Sequence, residues 1–346
     1  MDVCFRVDAG PGIGAGHLMR CLALADELAA RGARTAFICR AVWADEADAV
    51  VARKHSLFRL PAGPVADDAQ QTLDTLSARA LEPDWIVVDH YRLSREWERC
   101  LAPRTRRMLV IDDLADRAHD ADLLLDPTYG ETGARYRALV PSSCRCLCGS
   151  SYALLRPQFR QQRQAPEHRL PPVEQLTVHA FFGSFDADNH TERFSRLLLQ
   201  GVGGVRVRAA VGLAYAYSEQ LQQLVFEFGQ RFSWAAGVED MAAHMAGCDV
   251  ALGAPGGASW ERACVGLPAA YLAVTANQIA IVERLRDRGL CAYFGAADSI
   301  DDSAFVDNMR CFLADAPALH AMRTLGMNAV DGRGAQRVAE ILEELL

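Results

Sequence analysis

Three short apolar runs in the first half of the chain each stop at an acidic residue. Residues 85–88 (WIVV) end at Asp89, residues 108–111 (MLVI) at Asp112 and Asp113, and residues 123–125 (LLL) at Asp126. Brief, unalternating runs with polar residues collected at their C-terminal ends read as buried parallel strands. Such strands need helices beside them. Leu18, Cys21, Leu22, Ala25 and Leu28 recur at helical spacing, with Gly32 after them as a stop. Further strands are expected at 4–8 and 35–39. The stretch at 156–175, RPQFRQQRQAPEHRLPPVEQ, reads as a linker or interdomain loop. After it, strands are expected at 178–182, 205–211, 232–235, 250–252, 269–272 and 291–294. Helices are expected at 191–199 and 336–346.

With 346 residues, two domains are expected. They are taken as 1–160 and 161–346, with the last helix free to pack back on the first. Strand–helix alternation makes each an α/β unit, a Rossmann-like doubly wound parallel sheet, with a ligand cleft between them. The net charge of −8 argues against a nucleic-acid partner. No apolar run approaches the roughly 18 residues of a membrane span. MDVCFRVDAG enters a strand pattern directly, without the basic and apolar regions of a signal peptide. The eleven cysteines contain no CxxC pair, which fits free thiols in a reducing cytoplasm. Cys144, Cys146 and Cys148 share one strand face, as buried thiols or as a metal site. No metal and no cofactor is expected, and the chain is taken as a monomer or weak dimer.

Two glycine-rich turns carry the chemistry. The first is VDAGPGIGAGH, residues 7–17, where a strand runs through alternating Gly10, Gly12, Gly14 and Gly16 into a helix. Neither G-x-G-x-x-G nor a Walker A loop fits. His17 stands either as a plain helix-start residue or as a general base. The positive end of a helix favours the neutral imidazole that a base needs. The second is GCDVALGAPGGASWERACVGLPAAYLAV, residues 247–274. Its Gly256 and Gly257 lead into a helix carrying Ser259 and Glu261, an anion-binding arrangement. Glu261 reads as a ribose ligand or as a complement to the helix dipole. Asn277 and Gln278 follow the next strand and either face the ligand or cap a helix. Gly183 and Ser184 follow the first strand of the second domain, as ligand contacts or as a structural turn. Asp186 and Asp188 have the Asp-x-Asp spacing of a metal-dependent nucleotide-sugar site; the alternative is that residues 186–189 cap a helix.

Together VDAGPGIGAGHLMRCLALADEL, VVDHY, VIDDLADR, CGSSYALLRPQF, GAPGGASWERACVGLP and ANQ occur in order over most of the chain. This series resembles the UDP-2,4-diacetamido-2,4,6-trideoxy-β-L-altropyranose hydrolase family of pseudaminic acid biosynthesis. The resemblance implies the GT-B fold of nucleotide-sugar glycosyltransferases and a UDP-sugar substrate. It implies His17 as the residue that activates water, with Gly14 and Gly16 in its loop. Tyr91 falls beside the sugar or His17. Asp8 matches a family position and either orients His17 or supports the loop. The UDP site falls on Gly256, Gly257, Ser259 and Glu261, near Asn277 and Gln278, with Gly183 and Ser184. The chain departs from the family where Phe182 precedes Gly183, where Phe185 precedes Asp186, and where Pro255 precedes Gly256. A hydrolase or transferase for another donor sugar, or a binding protein, are the competing readings.

Overall fold

The computed structural model describes residues 1–346 except 11, 12, 43 and 164–169, and leaves aside the side chains of 45 and 46. Gly12 of the first turn and residues 164–169 of the linker therefore lie outside the described residues.

The chain divides into two compact units, residues 1–156 with 332–346, and residues 157–331. Linker texture alone puts the break at 160 and leaves the C-terminal helix free to pack back on the first unit. Contacts move it to 156 and return the last helix to the first unit. The reason is apolar burial. In the helix Gly334–Glu344, Val338, Ile341 and Leu342 join the core of the first unit. The indole Nε1 of buried Trp85 donates to the Leu342 carbonyl at 3.1 Å.

The first unit is a seven-stranded sheet of β1 (Asp2–Val7), β2 (Arg34–Cys39), β3 (Ser56–Arg59), β4 (Trp85–Asp89), β5 (Arg107–Ile111), β6 (Leu123–Asp126) and β7 (Arg145–Cys148). Their order is β3-β2-β1-β4-β5-β6-β7, and every pairing is parallel. Successive side chains point to opposite faces. Val3, Phe5 and Val7 meet Leu18, Leu22 and Leu28 of the helix Gly16–Ala30 on one side. Cys4, Ile38, Ile86 and Val110 form the core on the other. Each fully buried Leu or Phe contributes roughly 1.5–3 kcal/mol.

The second unit repeats the plan with β8 (Thr177–Phe181), β9 (Arg206–Val211), β10 (Phe232–Ala236), β11 (Val250–Gly253), β12 (Ala269–Ala273) and β13 (Ala292–Ala296). The order is β10-β9-β8-β11-β12-β13, again all parallel. Both units are thus doubly wound, Rossmann-like sheets. The expected strands sit within one or two residues of their observed bounds. β3 escaped prediction because SLFR is an edge strand without a fully buried residue, so it has no apolar run to read.

Cys146 and Cys148 lie on the edge strand β7, with Cys144 just before it. Burial pushes the Cys144 and Cys148 thiols up to about 12. No helix among the described residues is long and apolar enough to cross a membrane.

Candidate active site

In a doubly wound sheet the strand order reverses at one point, and the crevice beyond the strand ends there is where ligands bind. In the first unit that point lies between β1 and β4, where Val7 pairs with Asp89. The turn after β1 closes on itself, Gly14 N–H donating to the Gly10 carbonyl at 2.9 Å. Gly14 has a φ of 80°, which a side chain would strain. The helix then starts at Gly16, and His17 is its second residue.

Across the reversal, His17 Nδ1 is 2.6 Å from Asp89 Oδ1. Asp89 is fully buried. Burial pushes its carboxyl up, but Arg20 and His17 outweigh burial and hold it well below the ordinary range. An ionised carboxylate only accepts, so Nδ1 carries a proton, and in the neutral form of the ring Nε2 is the accepting nitrogen. Arg20 completes the arrangement. Its Nε donates to Asp89 Oδ2 at 2.6 Å, its Nη2 to Asp89 Oδ1 at 2.7 Å, and its Nη1 to Asp113 Oδ2 at 3.0 Å. Tyr91 stands edge-on to His17, with ring centroids 4.6 Å apart at 87°. Its hydroxyl donates to Asp113 Oδ1 at 3.0 Å. Burial, then the charge of Asp113, push the phenol up, so Tyr91 keeps its proton.

Asp8 takes no part in this pair. Its Oδ1 accepts from Arg6 Nη1 at 2.6 Å and from the Arg40 N–H at 2.7 Å. Its Oδ2 lies 3.2 Å from His90 Nε2. Arg6 also bonds Asp68 and is itself fully buried. Asp8 therefore supports the loop through a buried ion-pair network, and the carboxylate that orients His17 is Asp89. Sequence reading saw Asp89 and Asp113 only as strand ends and gave Arg20 no role. The available signal was the acids closing neighbouring strands, together with an arginine one helical turn after His17.

In the second unit the reversal lies between β8 and β11. Gly183 and Ser184 follow β8, and the Ser184 carbonyl accepts from Gly212 N–H at 3.1 Å. β8 and β11 approach so closely that a Cβ on Gly253 would lie 1.9 Å from the Phe181 carbonyl oxygen. Arg262, fully buried, donates to the Phe181 and Ala254 carbonyls at 2.9 and 3.1 Å and fixes the loop from below. The helix Gly257–Val265 begins just beyond β11, and Ser259 Oγ accepts from Gly256 N–H at 3.2 Å. Open space lies where Cβ atoms of Gly256 and Gly257 would be, leaving their backbone accessible. Glu261, partly buried, lies one turn into the helix. Gln278 and Asn277 serve the turn after β12. Gln278 Oε1 accepts from Val274 N–H at 2.9 Å, and Asn277 Oδ1 from the Thr275 hydroxyl at 2.6 Å. Both oxygens of Asp186 accept from the first N–H groups of the helix His190–Gly201, at 2.9 and 2.8 Å. Asp186 thus caps a helix.

No family model matches the chain. The sequence likeness to the hydrolase family holds. The chain is 29% identical to the UDP-2,4-diacetamido-2,4,6-trideoxy-beta-L-altropyranose hydrolase of Campylobacter jejuni over 171 residues, 49% of this chain and 56% of that protein. The match thus spans little more than half of that relative's length. The spore coat polysaccharide biosynthesis protein SpsG of Bacillus subtilis is 22% identical over 100% of this chain and 98% of its own. Among solved structures, MurG of Acinetobacter baumannii superposes with a TM-score of 0.67 at 13% identity, covering 99% of each chain. The calicheamicin glycosyltransferase CalG4 does so at 0.64 and 15%, covering 99% of this chain and 97% of its own. The fold is GT-B.

Proposed function

We propose that this chain hydrolyses a UDP-linked diacetamido-trideoxy-hexose at the anomeric carbon, releasing UDP and the free sugar with inversion. The observation that carries the proposal is the His17–Asp89 pair at the reversal of the first sheet. A neutral imidazole whose Nε2 accepts is equipped to take a proton from water. Sequence likeness to the Campylobacter hydrolase supplies the substrate class.

An inverting glycosidase ordinarily needs a second carboxyl group to protonate its leaving group. UDP is a far better leaving group than an alcohol, so one base and a cradle for the diphosphate suffice. In this reading the second unit supplies the cradle. The N-terminus of the helix at Gly257 and the turns at Gly183 and Ser184 stabilise the departing charge, while Glu261 takes the ribose. Tyr91, its own proton held by Asp113, contributes a phenol oxygen that accepts from a sugar hydroxyl. Direct displacement by water gives inversion.

The competing reading is glycosyl transfer, which the GT-B fold also serves. Incubation with candidate UDP-sugars, alone and with sugar or lipid acceptors, decides between them through free UDP. Hydrolysis predicts UDP release without acceptor. Release only with acceptor makes the chain a transferase, and no release under either condition makes it a binding protein.

A further inference from the structure

We infer that Arg20 is the positioning residue of the first unit's site, one guanidinium that ties the His17–Asp89 pair to the Tyr91–Asp113 pair. The inference rests on His17 being the base. Arg20 follows His17 by three residues on the same helix, so both side chains project from one face. Its side chain is 18% exposed and its fork is fully engaged, with Nε and Nη2 on the two oxygens of Asp89 and Nη1 on Asp113. The Asp113 oxygen left over takes the Tyr91 hydroxyl. The ring of Tyr91 in turn lies against His17. A closed circuit results, in which moving any one member moves the imidazole.

The circuit has an electrostatic consequence. Arg20 Nη2 is 3.1 Å from His17 Nδ1. Nδ1–H is already given to Asp89, so this contact places a cation beside the imidazole. The same guanidinium also neutralises Asp89, the carboxylate that orients the ring. Besides Asp89, Arg20 and Tyr91, the charged or titratable groups in this circuit are Asp113 and Cys21, whose thiol approaches Asp89 Oδ2 at 3.6 Å. Lysine cannot replace the device, because a point charge lacks the fork that spans two carboxylates.

The test uses the full chain as wild type, Arg20→Gln and Arg20→Lys. The tautomer of His17 is read by ¹⁵N NMR of histidine-labelled protein, its signal assigned by its loss in His17→Asn. UDP affinity is measured by calorimetry, and kcat and KM by UDP release. In Arg20→Gln the preference for the Nδ1–H form should weaken, because Asp89 loses the fork that holds it, and kcat should fall about tenfold or more. Arg20→Lys should lose a similar factor in kcat. UDP affinity should stay within about twofold in both. A folded Arg20→Gln with the wild-type tautomer signal overturns the inference, as does wild-type kcat in Arg20→Lys. If Arg20→Gln does not fold, Arg20→Lys decides through kcat alone. If wild type releases no UDP, the hydrolase reading falls while the tautomer still decides the role of Arg20.

Discussion

Apart from the seventh strand of the first, the two sheets share one strand order and reverse at the same place, yet their reversal points are built from opposite materials. In the first unit the place is crowded with charge: His17, Arg20, Asp89 and Asp113 bond one another, with Tyr91 attached. In the second it is bare backbone, with glycines at 183, 256 and 257 and one serine hydroxyl turned back on the loop. Topology thus positions a site without choosing its chemistry. Fixed charges at the first point suit moving a proton. Exposed N–H groups at a helix start suit holding an anion. The proposed function assigns each half of a hydrolysis to the point made for it.

The contrast breaks most readily at His17. His17→Asn should lose about 100-fold or more in turnover and keep nearly wild-type UDP affinity. Turnover near wild type would remove the first reversal point from the chemistry.

Acid should separate the units by what each buries. The second holds His179 and His244, both buried, their rings 5.1 Å apart. Among the described residues neither has a hydrogen-bond partner on its ring nitrogens. Burial, with the charge of Arg208, lowers His244 to about 4, and burial lowers His179 well below the usual value. A histidine harder to protonate when folded gives its full stability above about pH 6.5. The loss follows as pH falls, because the unfolded chain takes up protons that the folded unit refuses. For His244 it runs down to about pH 4 and reaches up to about 3 kcal/mol. The first unit behaves otherwise. Burial opposes ionisation of Asp8 and Asp89, but ion pairs and hydrogen bonds prevail and hold both low. Their contribution is present above about pH 4 and lost only below it. Hydrogen exchange between pH 7 and 4 should therefore show the second unit opening first. Earlier loss of protection in the first unit would contradict the comparison.

Glu261→Ala should weaken UDP binding by roughly 1.5–3 kcal/mol, the scale of hydrogen bonds to a charged group. Unchanged calorimetric affinity in a folded variant would return Glu261 to a helix-dipole role. The smallest expected effect is none. Asp186 spends both oxygens on a helix start, so activity should survive exhaustive EDTA treatment. Loss with EDTA and rescue by Mg²⁺ or Mn²⁺ would show that Asp186 and Asp188 bind a metal.

The same contrast explains what was legible in the sequence. Glycine turns and helix starts are local, so both reversal points could be found and His17 noticed. The His17–Asp89 pair spans 72 residues and exists only because β1 and β4 are neighbours, which no local pattern states. Asp8, near His17 in sequence, attracted the orienting role for that reason. The strand sends it instead to Arg6 and Asp68. The return of the last helix to the first unit stayed open in the sequence likewise, because Val338, Ile341 and Leu342 bury themselves in a core that lies far away along the chain.

The central claim is that water attacks the sugar and not the phosphate. Attack at phosphorus must neutralise a phosphoryl group in flight, usually with a metal or several cations, and neither glycine turn contains a lysine. Hydrolysis of the UDP-sugar in ¹⁸O-water, read by mass spectrometry of both products, tests this directly. The account predicts label in the released sugar and none in UDP. Label in the UDP phosphate would contradict it.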